Sequence, residues 1–375
     1  MNLYRKLVPE IIRTQIRNPQ YVLEDIIFLL RYLSSKFSKK KETKTIPKSI
    51  CYIIPTTNIT GGVAVVCEHL NRLQKLGYNT LIASHDNKSD LSWFPGQEVK
   101  VVPLQGNKTL IETYQTVVAT GWITAYEVLL LNVKRKIYLV QSDETRFYPT
   151  GSYLKERVRR TYTFPFEFIA IAKWLQIFLK DNFGKESYYV PNGINTDIFY
   201  PDTPLETKPK NKKRILLEGA INLPFKGMEE AFKVIKDIDC EVWCVSYDGQ
   251  PKPEWHCDRF FERVPMDQMR HIYSSCDILL KLSTVEGFFG PPLEMMACGG
   301  VPIVAKVTGY DEYIVDGKNA LVTNAGEIEN TIKKIQKLIR DNSLFSRLVK
   351  NGAKTTKNYS WDKSITFLDK ILQIP

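Results

Sequence analysis

Short apolar runs alternate with amphipathic stretches along most of the chain. Runs such as residues 50–54 and 276–282 are bounded by glycine, proline or polar residues, and each predicts a buried strand. Stretches with apolar residues three or four positions apart, such as residues 63–76, predict helices between these strands. Strands that alternate with helices in this way predict parallel sheets and an α/β protein.

The alternation is interrupted at residues 200–212, which are rich in proline and lysine and predict a boundary between two domains. The first domain would comprise residues 48–199 and the second residues 200–359. A chain of 375 residues with 43% hydrophobic content is long enough for two cores.

Residues 1–47 form a basic extension ahead of the first domain. A helix is predicted over residues 2–18, and a second one after Asn18 and Pro19. The second helix has apolar residues at helical spacing, namely Val22, Ile26, Leu29, Leu30, Leu33 and Phe37. Residues 1–48 hold eleven Lys and Arg against four Asp and Glu, and so carry most of the net charge of +11.

A basic amphipathic segment of this kind has two interpretations that the pattern leaves open. Residues 1–46 can lie on an anionic membrane surface, or they can pack on their own domain or on a second subunit. Nucleic acid is not predicted, because aromatic residues are not interleaved with the charges. The oligomeric state is not indicated.

The cysteines and the apolar runs indicate which classes of metal-binding, membrane-spanning or secreted protein are not expected. Seven cysteines without a regular spacing predict reduced thiols, and no metal site is predicted at His256 and Cys257 or elsewhere. No run reaches the roughly 18 apolar residues of a membrane span, and no cleavage site follows the N-terminal apolar run. We therefore expect a cytoplasmic protein, peripheral on the inner face of the membrane if the extension binds lipid.

Candidate chemistry is concentrated in residues 286–300, between a predicted strand and a predicted helix. Pro291 and Pro292 fall where the first turn of a helix tolerates proline. The loop from Gly287 to Gly290 would then present a helix N-terminus, which offers unpaired N–H groups and partial positive charge to a phosphate. Glu286 would end the strand, and Glu294 would face the same crevice from the helix.

Two other strand ends carry candidate residues. Gly61 and Gly62 follow the first strand, but they do not form a G-x-G-x-x-G fingerprint, so a nicotinamide enzyme is not indicated. Asp143 and Glu144 follow the strand over residues 136–140 and are candidate contacts for sugar hydroxyls. An exposed acidic loop is the alternative interpretation of this pair.

Residues 283–299 resemble the signature of retaining glycosyltransferases with the GT-B fold, particularly glycosyltransferase family 4. The family pattern is Ser-x-x-Glu-Gly-Phe-Gly-x-x-x-Leu-Glu-x-Met-Ala-x-Gly, and this sequence fits it with one extra residue, Phe289. Residues 191–199 match the family's segment at the domain junction. Residues 141–148 are more weakly similar to bacterial rhamnosyltransferases of surface-polysaccharide synthesis.

The resemblance implies two Rossmann-like domains whose parallel sheets face each other across a cleft, here with an N-terminal helical extension. It also implies that a last helix, within residues 360–375, crosses back to the first domain. Among the implied catalytic residues, Glu286 would contact the donor sugar and Lys226 the donor pyrophosphate, with Asp143 added from the polar cluster. Glu294 would bind the ribose.

Further contacts are implied on both sides of the cleft. On the donor side these are Gly290, Phe289, Pro291, Leu293, Gly219, Asn222, Arg263 and Val264. On the side of the acceptor and the phosphate loop they are Gly61, Gly62 and Glu144. The family's arginine before Lys226 is absent, with Asn222 or Leu223 in its place. Either phosphate binding is weakened, or Arg263 or another base compensates.

The expected function is that of a retaining glycosyltransferase acting in surface-glycan or polysaccharide synthesis. It would use a nucleotide sugar, UDP- or dTDP-linked, and a glycan or lipid-linked glycan acceptor, without a cofactor or a metal. Two alternatives stay open. One is a catalytically weak GT-B protein that serves as a binding or assembly partner of a glycosyltransferase. The other is a sugar-nucleotide epimerase.

Overall fold

The computed structural model describes residues 19–37 and 44–374. The predicted helix over residues 2–18 and the lysines at 39–41 lie outside the described residues. The described chain forms two halves, each built on one sheet in which every strand pairing is parallel. The predicted α/β class with two parallel sheets is confirmed.

The first half is a seven-stranded sheet in the order β3-β2-β1-β4-β5-β6-β7. Its strands are β1 Ile46–Ile54, β2 Asn79–Ser84, β3 Val101–Pro103, β4 Tyr114–Ala119, β5 Arg135–Val140, β6 Glu167–Ala170 and β7 Tyr188–Tyr189. Its helices are α1 Pro19–Phe37, α2 Gly61–Lys75, α3 Lys108–Ile111, α4 Trp122–Leu130, α5 Tyr153–Thr161 and α6 Lys173–Phe183. The central strand β1 is solvent-free from Ile50 to Ile54, as its unbroken apolar run predicts.

The second half is a six-stranded sheet in the order β10-β9-β8-β11-β12-β13. Its strands are β8 Lys213–Glu218, β9 Cys240–Ser246, β10 Arg259–Glu262, β11 Ile278–Lys281, β12 Val301–Ala305 and β13 Leu321–Thr323. The helices that follow β8 in the chain are α7 Met228–Ile235, α8 Met266–Ser275, α9 Gly290–Ala297, α10 Ile328–Arg340, α11 Asn342–Thr356 and α12 Trp361–Leu372.

Both sheets reverse their strand order once, which makes each of them doubly wound. The reversal lies between β1 and β4 in the first sheet and between β8 and β11 in the second. Ligands of open α/β sheets bind beyond the carboxyl ends of the strands at such a reversal. The topology therefore gives each half one edge at which a ligand is expected.

The last helix, α12, returns to the first half and packs on α2. The Tyr78 hydroxyl donates a hydrogen bond to Asp369 at 2.7 Å, and the Arg135 guanidinium donates to the Leu372 carbonyl at 3.3 Å. Just before α12, Ser360 forms an isolated parallel bridge with Ile194, close to the end of the first half. The chain thus passes between the halves twice at one place.

At the other end of the described chain, α1 lies against α4 of the first half. The ring of Phe28 meets the ring of Tyr126 edge to face, with centroids 4.9 Å apart. Glu24 of α1 accepts a hydrogen bond from Arg157 of α5 at 2.7 Å. The predicted second helix of the extension is therefore present. None of the described helices is long and apolar enough to cross a membrane.

Candidate active site

A cavity of about 770 Å³ separates the two halves. Its walls include residues at the carboxyl ends of strands in both sheets: Pro55 follows β1, Thr120 follows β4, Gln141 follows β5, Glu218 ends β8 and Lys281 ends β11. These positions include the strand-order reversal of each sheet. The cavity is therefore where the topology alone would place a ligand.

The loop after β11 and the helix α9 form one wall of the cavity, as the sequence predicts. Glu286, Glu294, Gly290, Pro291 and Leu293 all line it. Helix α9 begins at Gly290, so both prolines occupy its first turn and Glu294 lies about one turn into the helix. The two predicted glutamates therefore face the same space, but β11 ends at Lys281, so Glu286 lies in the loop after the strand and not at its end.

The first turn of α9 offers fewer N–H donors than the helix N-terminus predicted from the sequence. Pro291 and Pro292 have no N–H, and the Gly290 N–H donates to the Phe288 carbonyl at 2.9 Å. The helix dipole still places partial positive charge at this end. An anion bound here would consequently depend more on neighbouring cationic side chains.

Lys226 and Glu286 form an ion pair in the cavity wall, with Nζ 2.9 Å from Oε1. Lys226 ends a short 3₁₀ turn after β8, and Gly227 follows it with φ of +67° and no room for a β-carbon beside the Leu282 carbonyl. Burial acts to raise the pKa of Glu286, but the charges of Lys226 and Lys281 hold it below its ordinary value. Glu286 is therefore an ionised carboxylate at neutral pH.

Glu294 differs from Glu286 in its electrostatic surroundings. Its Oε2 accepts a hydrogen bond from the Tyr273 hydroxyl at 3.0 Å. Burial and the nearby charge of Glu218 raise the pKa of Glu294 to about 7, against the opposing effects of Tyr273 and Lys281. The charge of this carboxyl near neutral pH is therefore sensitive to changes in its surroundings.

Lys281 and Glu218 are a second buried ion pair in the cavity wall, and sequence reasoning missed both. The Lys281 side chain is 2% exposed. Its Nζ donates to the Glu218 carbonyl at 2.9 Å and also to the Glu218 carboxylate. The available signal was a lysine inside an otherwise apolar strand, because lysine is almost never buried without a partner.

Three residues predicted to bind the donor lie outside the cavity wall. Asn222 is exposed and donates to Asp248 at 3.0 Å, and the Arg263 side chain is 71% exposed. Phe289 is fully buried in the apolar core, where its carbonyl accepts a hydrogen bond from Tyr313. Two other predicted donor contacts, Gly219 and Val264, do line the cavity.

On the opposite wall, Gly61 and Gly62 open α2 and line the cavity. Glu144 lines it too, and its carboxylate accepts from the Tyr138 hydroxyl at 2.7 Å and from the Trp122 N–H at 2.8 Å. Burial raises the pKa of Glu144 to about 7, although both donors oppose this. The structure thus brings the predicted residues of the acceptor side together.

Asp143 is not in the cavity wall. Its carboxylate turns back along the chain and accepts hydrogen bonds from the N–H of Thr145 at 3.1 Å and from its hydroxyl at 2.6 Å. It therefore caps the 3₁₀ turn Glu144–Phe147. Of the two adjacent acidic residues predicted to contact sugar, only Glu144 faces the cavity.

Aromatic side chains from both halves complete the site and were not predicted from the sequence. Phe147 and Phe225 stack across the cleft with ring centroids 5.5 Å apart. Tyr148 lines the acceptor side, and its hydroxyl accepts from the Trp122 indole at 3.1 Å. Among the described residues, no group of three or more His, Cys, Asp or Glu is arranged to hold a metal ion.

Residues 257–355 match the family model described as glycosyl transferases group 1, a stretch that contains Lys281, Glu286 and Glu294. The chain is therefore similar to this family over 99 of its 375 residues. Its two facing parallel sheets have the architecture of the GT-B fold, as the sequence resemblance implied.

Similar proteins include an uncharacterised glycosyltransferase of Methanocaldococcus jannaschii, 26% identical over 59% of this chain and 64% of that protein. The O-antigen biosynthesis protein RfbC of Myxococcus xanthus is 23% identical over 71% of this chain and 21% of its own length. The matched stretches thus span less than two thirds of either relative. Among solved structures, HepE of Anabaena in complex with UDP-glucose superposes with a TM-score of 0.72 at 14% identity, covering 86% of this chain and 99% of HepE.

Proposed function

We propose that this chain is a retaining glycosyltransferase that moves a sugar from a nucleoside-diphosphate donor to an acceptor hydroxyl. The observation that carries the proposal is that Glu286, Lys226, Glu294 and the start of α9 line one cavity between the two halves. The similarity to glycosyl transferases group 1 and the GT-B fold support it. A UDP- or dTDP-sugar is the donor class we propose, and HepE, similar in fold, binds UDP-glucose.

The departing diphosphate needs positive charge in a site that excludes water. Lys226 and the dipole of α9 supply part of it. The first turn of α9 has few N–H donors, so we assign Lys281 as the second cation of the phosphate site. It ends β11, next to β8 at the strand-order reversal, whereas Arg263 projects into solvent.

Both lysines are paired with carboxylates in the described structure, Lys226 with Glu286 and Lys281 with Glu218. A diphosphate carries more negative charge than either carboxylate, so it competes with them for the two ammonium groups. Release of Glu286 from Lys226 would free its oxygens for hydroxyl groups of the donor sugar. Binding of the leaving group would thereby prepare the contact to the transferred sugar.

Glu294 is proposed to accept hydrogen bonds from the ribose, with Tyr273 holding its carboxylate in place. This role leaves Glu294 no part as a nucleophile, so the two-carboxylate scheme of retaining glycosidases is not proposed. Retention would instead require the acceptor to approach on the face of the sugar from which the diphosphate leaves. Chemistry of this kind depends on positioning and on charge stabilisation.

The acceptor is proposed to bind against the first half, where Gly61, Gly62, Glu144 and Tyr148 face the cavity. Glu144 and Tyr148 offer polar atoms suited to carbohydrate hydroxyls, and the aromatic rings nearby suit the apolar faces of sugars. A glycan or lipid-linked glycan is the acceptor class we propose. A relative named for O-antigen biosynthesis supports surface-glycan synthesis as the setting.

Donor turnover tests the proposal. The intact protein is titrated with UDP, dTDP and GDP, and then incubated with the corresponding sugar nucleotides, with release of the nucleoside diphosphate as the readout. Lys226→Ala should reduce both affinity and turnover. Lys233→Ala is the matched control, because Lys233 forms a similar 2.9 Å ion pair with Glu229 on an exposed surface.

Proton NMR of the transferred sugar then reports whether the anomeric configuration is retained. Binding of a nucleotide without turnover of any donor would favour the non-catalytic partner instead. Conversion of a donor without an acceptor would favour an epimerase. If Lys226→Ala leaves turnover unchanged, the proposal that the phosphate site lies in this cavity is contradicted.

A further inference from the structure

The exposed side of α1 carries six aliphatic residues in a continuous row. Their accessible surface ranges from 40% to 61%, and the row consists of Leu23, Ile26, Ile27, Leu29, Leu30 and Leu33. It extends for about 15 Å along the helix, at 1.5 Å per residue. No charged side chain falls within it. We name this row the aliphatic stripe; an apolar surface of this extent marks an interaction site.

The opposite side of α1 is the side that packs on the protein. Phe28 contacts Tyr126 of α4, and Asp25 accepts a hydrogen bond from Arg160 of α5 at 3.2 Å. A surface helix normally buries its apolar side and exposes its charges. Helix α1 instead exposes its aliphatic residues, and its orientation is fixed by ring packing and ion pairs while the aliphatic stripe faces away from the protein.

The same ion pairs change the electrostatics of the extension. Glu24 and Asp25 are the carboxylates of α1, and they are paired with Arg157 and Arg160 of the first half. Their negative charge is therefore compensated on the side away from the stripe. Beyond the stripe the sequence continues with lysines at positions 36, 39, 40, 41 and 44. An uncharged aliphatic surface on an extension whose sequence carries an excess of positive charge matches an anionic lipid surface.

We propose that the aliphatic stripe is a docking surface for an anionic lipid bilayer, with α1 lying in the plane of the interface. The leucine and isoleucine side chains would enter the acyl region, and the net positive charge of the extension would favour anionic headgroups. A second copy of the chain is a poorer occupant, because its own extension brings the same excess of positive charge to the contact.

Helix α4 connects this surface to the cavity. Its first residue, Trp122, donates its N–H to Glu144 in the cavity wall, and Tyr126 one turn later contacts Phe28 of α1. The acceptor side of the cavity is thus one short helix away from the membrane-docking helix. If the proposed glycosyl transfer holds, the acceptor is one that a lipid carries in the bilayer; the docking itself does not depend on that activity.

Vesicle sedimentation of the full chain tests the docking surface. The vesicles contain phosphatidylcholine alone or phosphatidylcholine with phosphatidylglycerol. Ile27→Glu combined with Leu30→Glu places charge in the stripe, and Ile177→Glu combined with Phe367→Glu is the control, since these residues are 60% and 46% exposed elsewhere. We expect binding to the anionic vesicles that salt weakens, a loss of about tenfold or more in the stripe variant, and no loss in the control.

Equal sedimentation of the two variants, or no sedimentation of the unaltered protein, would overturn the proposal. Light scattering would instead assign the stripe to a second copy of the chain if the unaltered protein is a dimer that does not bind vesicles. In that case the stripe variant would be monomeric and the control variant would remain a dimer. UDP-induced thermal stabilisation of the stripe variant, equal to that of the unaltered protein, shows that it is folded. That measurement also separates a failure of docking from a failure of the proposed donor site.

Discussion

A β-carbon on Gly287 would lie 1.7 Å from the carbonyl oxygen of Gln141. Gly287 belongs to the loop before α9 in the second half, and Gln141 follows β5 in the first. The Trp174 indole of the first half also donates to the Gly287 carbonyl at 2.8 Å. At the edge of the cavity the two halves therefore meet backbone to backbone, and the contact leaves no space for a side chain.

Gly287→Ala is expected to separate the halves at this contact. Glycosyl transfer should fall by about a hundredfold or more, because misplacement of reacting groups by an ångström has effects of this size. UDP affinity should change little, since Lys226, Lys281 and Glu294 all belong to the second half. The measurements are steady-state turnover and calorimetric titration with UDP.

Gly317→Ala is a control for the glycine substitution itself. Gly317 has φ of +70° and no atom within 4 Å of a β-carbon, and it does not line the cavity. Its substitution should lower stability by about 1 kcal/mol through backbone strain, without a selective loss of transfer. Full transfer by Gly287→Ala would show that the contact between Gly287 and Gln141 is not needed for activity.

Lys281→Met is expected to weaken UDP binding by roughly 10- to 100-fold, the loss of one charged hydrogen bond. It should also destabilise the protein, because Glu218 is left without its cation. The double variant Lys281→Met with Glu218→Gln should recover stability and still bind UDP weakly. Urea unfolding measures the change in stability, and calorimetry measures the change in UDP affinity. If the double variant binds UDP as tightly as the unaltered protein, the role of Lys281 is structural only.

Donor affinity should depend on pH through Glu294. Its pKa is raised to about 7, so the carboxylate that would accept ribose hydroxyls is lost as the pH falls through that value. UDP affinity should therefore decrease from weakly alkaline to weakly acidic solution. Glu294→Gln should bind more weakly above neutrality and show a flatter pH profile. An identical profile in the variant would contradict the ribose role.

Glu144 should make stability depend on pH in the same range. The folded protein holds its proton up to about pH 7, whereas the unfolded chain releases it at the ordinary pKa of a glutamate. The resulting stabilisation is complete in acid and is lost as the pH rises through about 7.

In Glu144→Gln this titration is absent. Between acid and neutral pH, the free energy of unfolding of the variant should therefore decrease by roughly 1 to 3 kcal/mol less than that of the unaltered protein. Urea unfolding at several pH values measures it. Glu186→Gln is the control, since the Glu186 side chain is 82% exposed. Parallel pH profiles of the Glu144 variant and the unaltered protein would contradict the prediction.

The parallel sheets and the wall formed by α9 follow from local patterns and could be predicted. Apolar runs define the strands, and the spacing from Glu286 to Glu294 spans part of the loop after β11 and about one turn of α9. The ion pair between Lys226 and Glu286 joins segments far apart in the chain, so no local pattern contains its distance. The resemblance to a family predicted that both residues belong to the site. Their direct contact is known only from the structure.

Other features depend on which way a side chain turns. Asp143 and Glu144 are equally acidic neighbours after a strand, and the 3₁₀ turn decides that only Glu144 faces the cavity. Lys281 interrupts an apolar strand without apparent reason until Glu218 on the adjacent strand is known. The apolar side of α1 was visible in the sequence, but its outward orientation is set by Arg157 on another helix.

The bridge between Ile194 and Ser360 has a consequence for motion. The Ile194 N–H donates to the Tyr359 carbonyl at 2.8 Å, and a β-carbon on Gly193 would lie 2.2 Å from the Trp361 nitrogen. The second half is thus an insertion between two neighbouring points of the first, and its two connections are bonded to each other. Any movement of one half relative to the other would therefore be a rotation about a single hinge made of this paired backbone.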